Sequence, residues 1–179
     1  MWRRRGSERA DNTMDNDILT IPSMNLSTGI QLNYYWQLQR EFSQSLLRPL
    51  SGQLSAFSHQ QYRITYFDKG IVLWWDFPQF AFIEYLLVYR EYRRQGFGSS
   101  LLNAVKNRGK IVVLEVDPKD SVCSFYIKNK FVKNNHLYSP IQINNAPPPR
   151  LCLMTYDREL SLPEYKKFIE IISSEELQF

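Results

Sequence analysis

The sequence predicts an α/β chain: a mixed, mostly antiparallel sheet with helices on both faces. Three observations carry that prediction. Between residues 62 and 77 the apolar period is two, as in strands with one buried face. Segments 80–89 and 110–117 are apolar almost throughout, as in strands buried on both faces. Helical spacing recurs between them, so strands come first and then alternate with helices. A length of 179 residues, 44% apolar and 15% aromatic, favours one domain with its own core.

Residues 1–16 read as a disordered extension and 17–179 as a single domain. "DILTIPS" (17–23) has the spacing of a first strand. "IQLNYYWQLQREFSQSLLRPL" (30–50) repeats Leu32, Tyr35, Trp36, Leu38, Phe42 and Leu46 at helical intervals, and Pro49 ends or restarts the helix. "YRITYFDKGIVLWWDF" (62–77) is two strands around Asp68-Lys69-Gly70, a hairpin signal. "FAFIEYLLVY" (80–89) is the next strand, followed by a glycine-rich turn and a helix to about Lys106. "KIVVLEVD" (110–117) is a strand, "SVCSFYIKNKF" (121–131) a short helix and "RLCLMTYDREL" (150–160) a late strand. "LPEYKKFIEIISSEEL" (162–177) is a terminal amphipathic helix. The first and last helices each offer a surface for a homodimer.

Charge and cysteine content narrow the function classes. Half of the net +4 lies in residues 1–13, so the body is nearly balanced and a nucleic-acid partner is not expected. Cys123 and Cys152 form no CxxC pair and have no neighbouring His cluster. They read as reduced structural thiols of a cytoplasmic protein without a metal site. No apolar run approaches the roughly 20 residues of a membrane span. His59 and His136 are isolated and read as loop residues.

The stretch "EYRRQGFGSSLLNAVK" (91–106) carries the chemistry. Gly96 and Gly98 stand where a buried strand ends and a helix begins. The first helical turn has amides without internal partners, and with the helix dipole these attract phosphate. Arg93 and Arg94 add charge beside the same spot. A tight turn alone would also use these glycines. The dinucleotide fingerprint is absent, because Leu101 stands where its third glycine belongs, and no Gly-Lys-Ser/Thr of a Walker loop occurs.

Arg93-Arg94-Gln95-Gly96-Phe97-Gly98 resembles the Arg/Gln-x-x-Gly-x-Gly/Ala acyl-coenzyme A signature of the GCN5-related N-acetyltransferases (GNAT). "IEYLLVYREYRRQGFGSSLL" is similar to that family's fourth strand, pyrophosphate loop and helix, "KIVVLEVD" to its fifth strand and "SFYIKNKF" to its tyrosine helix. "PPPRLCLMTYDREL" resembles the closing strand of small bacterial members. The resemblance spans roughly residues 17–160. It implies a sheet splayed between its fourth and fifth strands, and acetyl transfer from acetyl-coenzyme A to an amine of a small molecule or peptide.

It also implies roles. The amides of Arg94, Gln95, Gly96, Phe97, Gly98 and Ser99, with Arg93 beside them, would cradle the pyrophosphate. Leu86, Leu87 and Val88 would offer backbone groups to the pantetheine arm, and an N–H there would polarise the thioester carbonyl. Glu84, in an apolar strand and sharing a face with Leu86 and Val88 by simple alternation, is the candidate base. A salt bridge to a helix Arg or Lys would explain it equally well. Glu115 and Asp117 are secondary candidates. Tyr126 stands at the family's general-acid position, although a core aromatic would also suit that place. Lys130 replaces the family's usual glycine, which expects Asn129 to make the left-handed turn after the helix. Asp120 is the nearest match to an early Asn. Cys123 is expected to pack the helix rather than attack a thioester. Of the adjacent Trp74 and Trp75, one is expected in the core, and the other at the acceptor pocket or the surface. Pro147-Pro148-Pro149 stiffens a loop that would shape the acceptor pocket. The other reading is a non-catalytic coenzyme A sensor of the same fold.

Overall fold

The structure, a computed structural model, describes residues 18–137 and 151–174. Its strands are β1 (Leu19–Pro22), β2 (Tyr62–Phe67), β3 (Gly70–Asp76), β4 (Phe80–Val88), β5 (Ile111–Val116), β6 (Phe131–Lys133) and β7 (Cys152–Tyr156). Its helices are α1 (Thr28–Glu41), α2 (Leu50–Ser58), α3 (Phe97–Lys106), α4 (Val122–Lys128) and α5 (Leu162–Ile172). The strands form one sheet in the order β1-β2-β3-β4-β5-β7-β6. Every pairing is antiparallel except β4 with β5. The expected extension 1–16, the Pro147–Pro149 run and residues 175–177 of the expected last helix lie outside the described residues.

The sheet separates two apolar layers. On one face Trp75, Phe80 and Phe82 pack under α1, α2 and α5, contributed by Leu38, Phe57 and Phe168. On the other, Trp74, Ile83 and Leu114 pack under α3 and α4, contributed by Leu101 and Tyr126. Helices therefore cover both faces, as the strand pattern implies. Trp74 and Trp75 do face opposite ways, but both are fully buried, so neither is a surface or pocket residue. A sheet with cores on both sides has no wet face to offer a central strand.

Local chemistry sets most boundaries. In the β2–β3 hairpin Phe67 pairs with Gly70 across Asp68-Lys69, and a Cβ at Gly70 would lie 2.5 Å from the Leu87 carbonyl oxygen. Helix α3 buries Phe97, Leu101, Leu102 and Val105, one stripe of a 3.6-residue period. Helix α5 starts at a capping box, with the Ser161 amide donating to Glu164 at 2.8 Å.

Four expectations need correction. The helix foreseen over 30–50 ends at Glu41 and restarts as α2, with Pro49 at its N-cap and an irregular segment between. The helix foreseen to 131 stops at Lys128, because Phe131–Lys133 pairs with β7 as a strand too short to show alternation. The late strand is only five residues, since Asp157 turns with φ +73°. The first strand begins at Leu19.

Two irregularities of β4 matter for function. Leu73 pairs with Tyr85 but Trp74 with Ile83, so Glu84 is an extra residue, a β-bulge against β3. On its other edge β4 pairs with β5 from Phe80↔Ile111 to Ile83↔Leu114 and no further, although β4 runs on to Val88 and β5 to Val116. The fourth and fifth strands thus splay, as expected.

Candidate active site

The turn after β4 is built from the backbone outward. Arg94 has φ +61° and Gly96 φ +91°, so the chain alternates handedness just before α3 begins at Phe97. Such alternation aims successive amides at one point. Among the described residues, the amides of Arg94, Gln95, Gly96, Phe97 and Gly98 find no acceptor. The Ser99 amide, expected in the cradle, instead closes the first turn onto the Gly96 carbonyl at 2.9 Å. The two glycines have different causes. Gly96 needs its positive φ. Gly98 needs its missing Cβ, which would lie 3.0 Å from the Phe125 ring.

Neighbouring side chains divide their work. Phe97 is buried against Phe67, with ring centroids 5.5 Å apart, so only its amide serves the loop. Gln95 donates to the Glu91 carbonyl at 2.9 Å. Arg93 donates from Nε to the Val88 carbonyl at 2.9 Å and from its other end to Glu41 at 2.8 Å. Arg90 holds the second Glu41 oxygen at 2.8 Å. Hydrogen bonding to Arg93 is the main reason the Glu41 carboxyl lies below its ordinary pKa.

From this turn a cavity of about 1490 Å³ runs along the splay. Leu86, Leu87 and Val88 line one wall and Val116 the other, with Tyr126 beside them. Past Ile83 the edge of β4 turned toward β5 has no strand partner, so its backbone groups border the gap. Tyr126 is almost fully buried, in edge contact with Phe131 at 5.8 Å. Burial first, and then the charge of Asp120, push its phenol above the ordinary value. No described group hydrogen-bonds its hydroxyl. Helix α4 is aimed by its ends: Asp120 accepts from the Val122 amide at 3.0 Å. At the other end Lys130, not Asn129, takes the left-handed conformation, with φ +65°. Lys130 is the residue just past the C-cap, where glycine usually sits.

At the far end of the cavity the bulge changes the expected faces. Glu84 does not share a face with Leu86 and Val88, because the extra residue breaks the alternation and those two side chains turn to the α3 face. Glu84 points to the α1–α2 face. There Arg48 Nε reaches its Oε1 at 2.5 Å and the Tyr62 hydroxyl donates to its Oε2 at 2.6 Å. Burial alone would lower the Arg48 pKa, but the Glu84 charge raises it above its ordinary value. The Arg48 amide donates to the Tyr85 hydroxyl at 3.2 Å, and that hydroxyl donates to the Leu46 carbonyl at 3.2 Å. Sequence reasoning missed Arg48. Its signal is an arginine set inside the apolar run "LLRPL".

Glu115 lies on β5 one residue past the last ladder pair, beside Glu84. Burial, reinforced by the Glu84 charge, pushes its carboxyl up to about 8. Asp117 also lines the cavity, and its carbonyl accepts from Cys123 Sγ at 3.1 Å. Burial first raises the Cys123 thiol, as suits a packing residue better than a nucleophile. His59 packs edge-on against Trp75 at 5.2 Å and His136 stacks on Tyr165 at 4.4 Å, both away from the cavity. No described helix is long and apolar enough to cross a membrane.

Comparison with known proteins agrees with this geometry. The sequence profile of the acetyltransferase (GNAT) family matches residues 25–130. A Bacillus subtilis (strain 168) protein whose name assigns it to the acetyltransferases, YjbC, is 29% identical over 92 residues. The match covers 50% of this chain and 47% of YjbC, so the chain spans about half the length of that relative. A solved Bacteroides thetaiotaomicron structure, named as a GNAT-family acetyltransferase, superposes with TM-score 0.70 at 19% identity. It covers 86% of this chain and 95% of its own. Arabidopsis thaliana Naa50, solved with the bisubstrate analogue CoA-Ac-MVNAL, superposes with TM-score 0.55 at 17% identity, covering 78% of this chain and 97% of its own. At these identities the structural likeness speaks to the fold.

Proposed function

The chain belongs to the acetyltransferase (GNAT) family, and from that premise we propose that it moves an acetyl group from acetyl-coenzyme A directly to a primary amine of a small molecule or peptide. The observation that carries this reading is the run of five amides, Arg94 to Gly98, with no acceptor among the described residues, at the mouth of a cavity that follows the splay. Two linked phosphates suit those donors at a helix N-terminus. A thin, amide-bearing arm suits the gap between β4 and β5. Ser99, whose amide is spent on the turn, contributes at most its hydroxyl.

In this reading Tyr126 gives its phenolic proton to the departing thiolate. Its raised pKa keeps it protonated at neutral pH, so the proton is in place as the thiolate departs. The amine sheds its proton at the carboxylate pair Glu84 and Glu115, where the strands part. The peptide analogue bound by Naa50 supports an amine terminus as one class of acceptor. Lys130, the departure from the family motif that would favour a sensor, is left-handed and supplies the turn that glycine would have made.

The test pairs calorimetry of coenzyme A binding with thiol release from acetyl-coenzyme A in wild type and Tyr126→Phe. The variant is expected to keep its coenzyme affinity within about threefold and lose kcat by about 100-fold or more. A wild-type chain that binds coenzyme A but turns over no amine would favour the sensor. One that does not bind it would end the proposal.

A further inference from the structure

Helix α4 carries Tyr126 but has little of its own to keep it in place. It spans seven residues, too few for a helix to hold itself in water, and Tyr126 is its only buried one. Among the described residues the Tyr126 hydroxyl has no hydrogen-bond partner. The packing of its ring and the seating of the helix therefore set where that hydroxyl stands. The first turn of α4 is held from the chain before it, by Asp120 on the Val122 amide and by the Cys123 thiol on the Asp117 carbonyl. Its far end is held by another helix.

That helix is α3. Lys106 is its last residue, where a lysine usually does no more than answer the helix dipole. Here the side chain is half-buried and crosses to α4. Its Nζ donates to the Asn129 carbonyl at 2.8 Å and to Asn103 Oδ1 at 3.5 Å. It stands over the Tyr156 ring at 4.5 Å and the Phe131 ring at 5.3 Å. Ring faces attract a cation, more so where water is partly excluded. Two of these contacts lead to Tyr126. Asn129 closes α4, its amide donating to the Tyr126 carbonyl at 3.0 Å and its side chain to the Phe125 carbonyl at 2.9 Å. The Phe131 ring meets the Tyr126 ring edge-on at 5.8 Å. At the start of α3, Gly98 lies so close to α4 that a Cβ there would stand 3.0 Å from the Phe125 ring. One helix thus begins at the amide turn and grips α4 at two points, through Gly98 and through Lys106.

We propose that Lys106 is a positioning residue for Tyr126: its ammonium fastens the end of α4 to the helix that begins at the amide turn, and so sets the reach of the phenol into the cavity. The inference rests on the acetyl-transfer reading above, in which Tyr126 protonates the departing thiolate. In that reading α3 gauges both ends of the coenzyme. Its first amides meet the diphosphate, and its last side chain aims the acid that meets the sulfur. A misplacement of about 1 Å at a reacting group can cost on the order of 100-fold. Because Asp120 and β6 still hold α4 without Lys106, a smaller loss of about tenfold is expected.

The experiment measures coenzyme A affinity by calorimetry, and kcat and KM by thiol release, with benzylamine, spermidine and the peptide Met-Val-Asn-Ala-Leu as acceptor probes. Lys106→Met is expected to lower kcat about tenfold while coenzyme affinity and KM stay within about threefold. Lys106→Arg, which keeps the charge and a donor, is expected to hold kcat within about threefold of wild type. Lys106→Gln, which keeps a donor without the charge, is expected to fall between them, and it serves wherever Lys106→Met does not fold. In a Tyr126→Phe background Lys106→Met is expected to cost less than about twofold, because the group it acts through is gone. A merely stabilising lysine would lower Tm alone, or slow both backgrounds alike, and either result overturns the inference. A second readout needs no acceptor. With carbon-13 at tyrosine Cζ, the Tyr126 resonance, identified by its loss in Tyr126→Phe, is expected to shift or broaden in Lys106→Met and to return in Lys106→Arg. An unmoved resonance overturns the inference even if acetyl transfer is intact. A wild-type chain that binds no coenzyme A would instead overturn the acetyl-transfer reading.

Discussion

Lys130 holds a backbone angle that L-residues avoid, at φ +65°. Its amide donates to the Ile127 carbonyl at 2.9 Å and its carbonyl accepts from Asp157 at 2.8 Å, so helix end and chain return are tied through it. A left-handed non-glycine residue costs about 1–2 kcal/mol, of which glycine's larger unfolded-state entropy gives back about 0.5–1. Its ammonium also opposes Lys106, whose pKa is lowered by burial first and by Lys130 next. Lys130→Gly is therefore expected to stabilise the chain by about 0.5 kcal/mol, a Tm rise of about 1–2 °C by calorimetry. An unchanged or lower Tm would show that the strain is relieved elsewhere. The position was legible as a departure from a motif. Which residue bends was not, because Asn is the commoner left-handed residue and sequence alone does not say where the last helical hydrogen bond falls.

Helix α5 was legible at its start, where Ser161 and Glu164 form a cap and an apolar stripe of helical period begins, but not at its end, since Ile172 closes it before the expected 177. Its Phe168 ring is fully buried, meeting Phe80 and Phe82 edge-on at 5.4 and 5.5 Å. Phe168→Ala is expected to cost about 3–5 kcal/mol in urea unfolding. A loss below about 1 kcal/mol would mean that α5 is not seated on the sheet as described. Strand β4 was legible as a strand but not as a bulged one. Strict alternation put Glu84 with Leu86 and Val88, and nothing in "FIEYLL" marks where the partner strand gains a residue. The segment between α1 and α2 was hidden for a related reason. Phe42 and Leu46 continue a helical rhythm although the chain there makes only one further turn, with the Leu46 and Leu47 amides donating to Ser43, and is then fastened by the Tyr85 hydroxyl.

Across the molecule, the order of elements, the two covered faces and the glycine turn before α3 were readable, since each leaves a short-range trace in period or motif. At the far end of the cavity Glu84 and Glu115 were named, but not their meeting with Arg48 and Tyr62, because the four come from separate places and meet only through the sheet. Their meeting point is also where the sheet's hydrogen-bonded fabric ends between β4 and β5. A fabric cut open along one seam is sewn by whatever slender, amide-rich molecule is laid in it. Deuterium uptake at 84–88 and 114–116 is accordingly expected to slow when coenzyme A is added, while the β2–β3 hairpin exchanges as before. Equal uptake with and without it would show that nothing has been stitched across the seam.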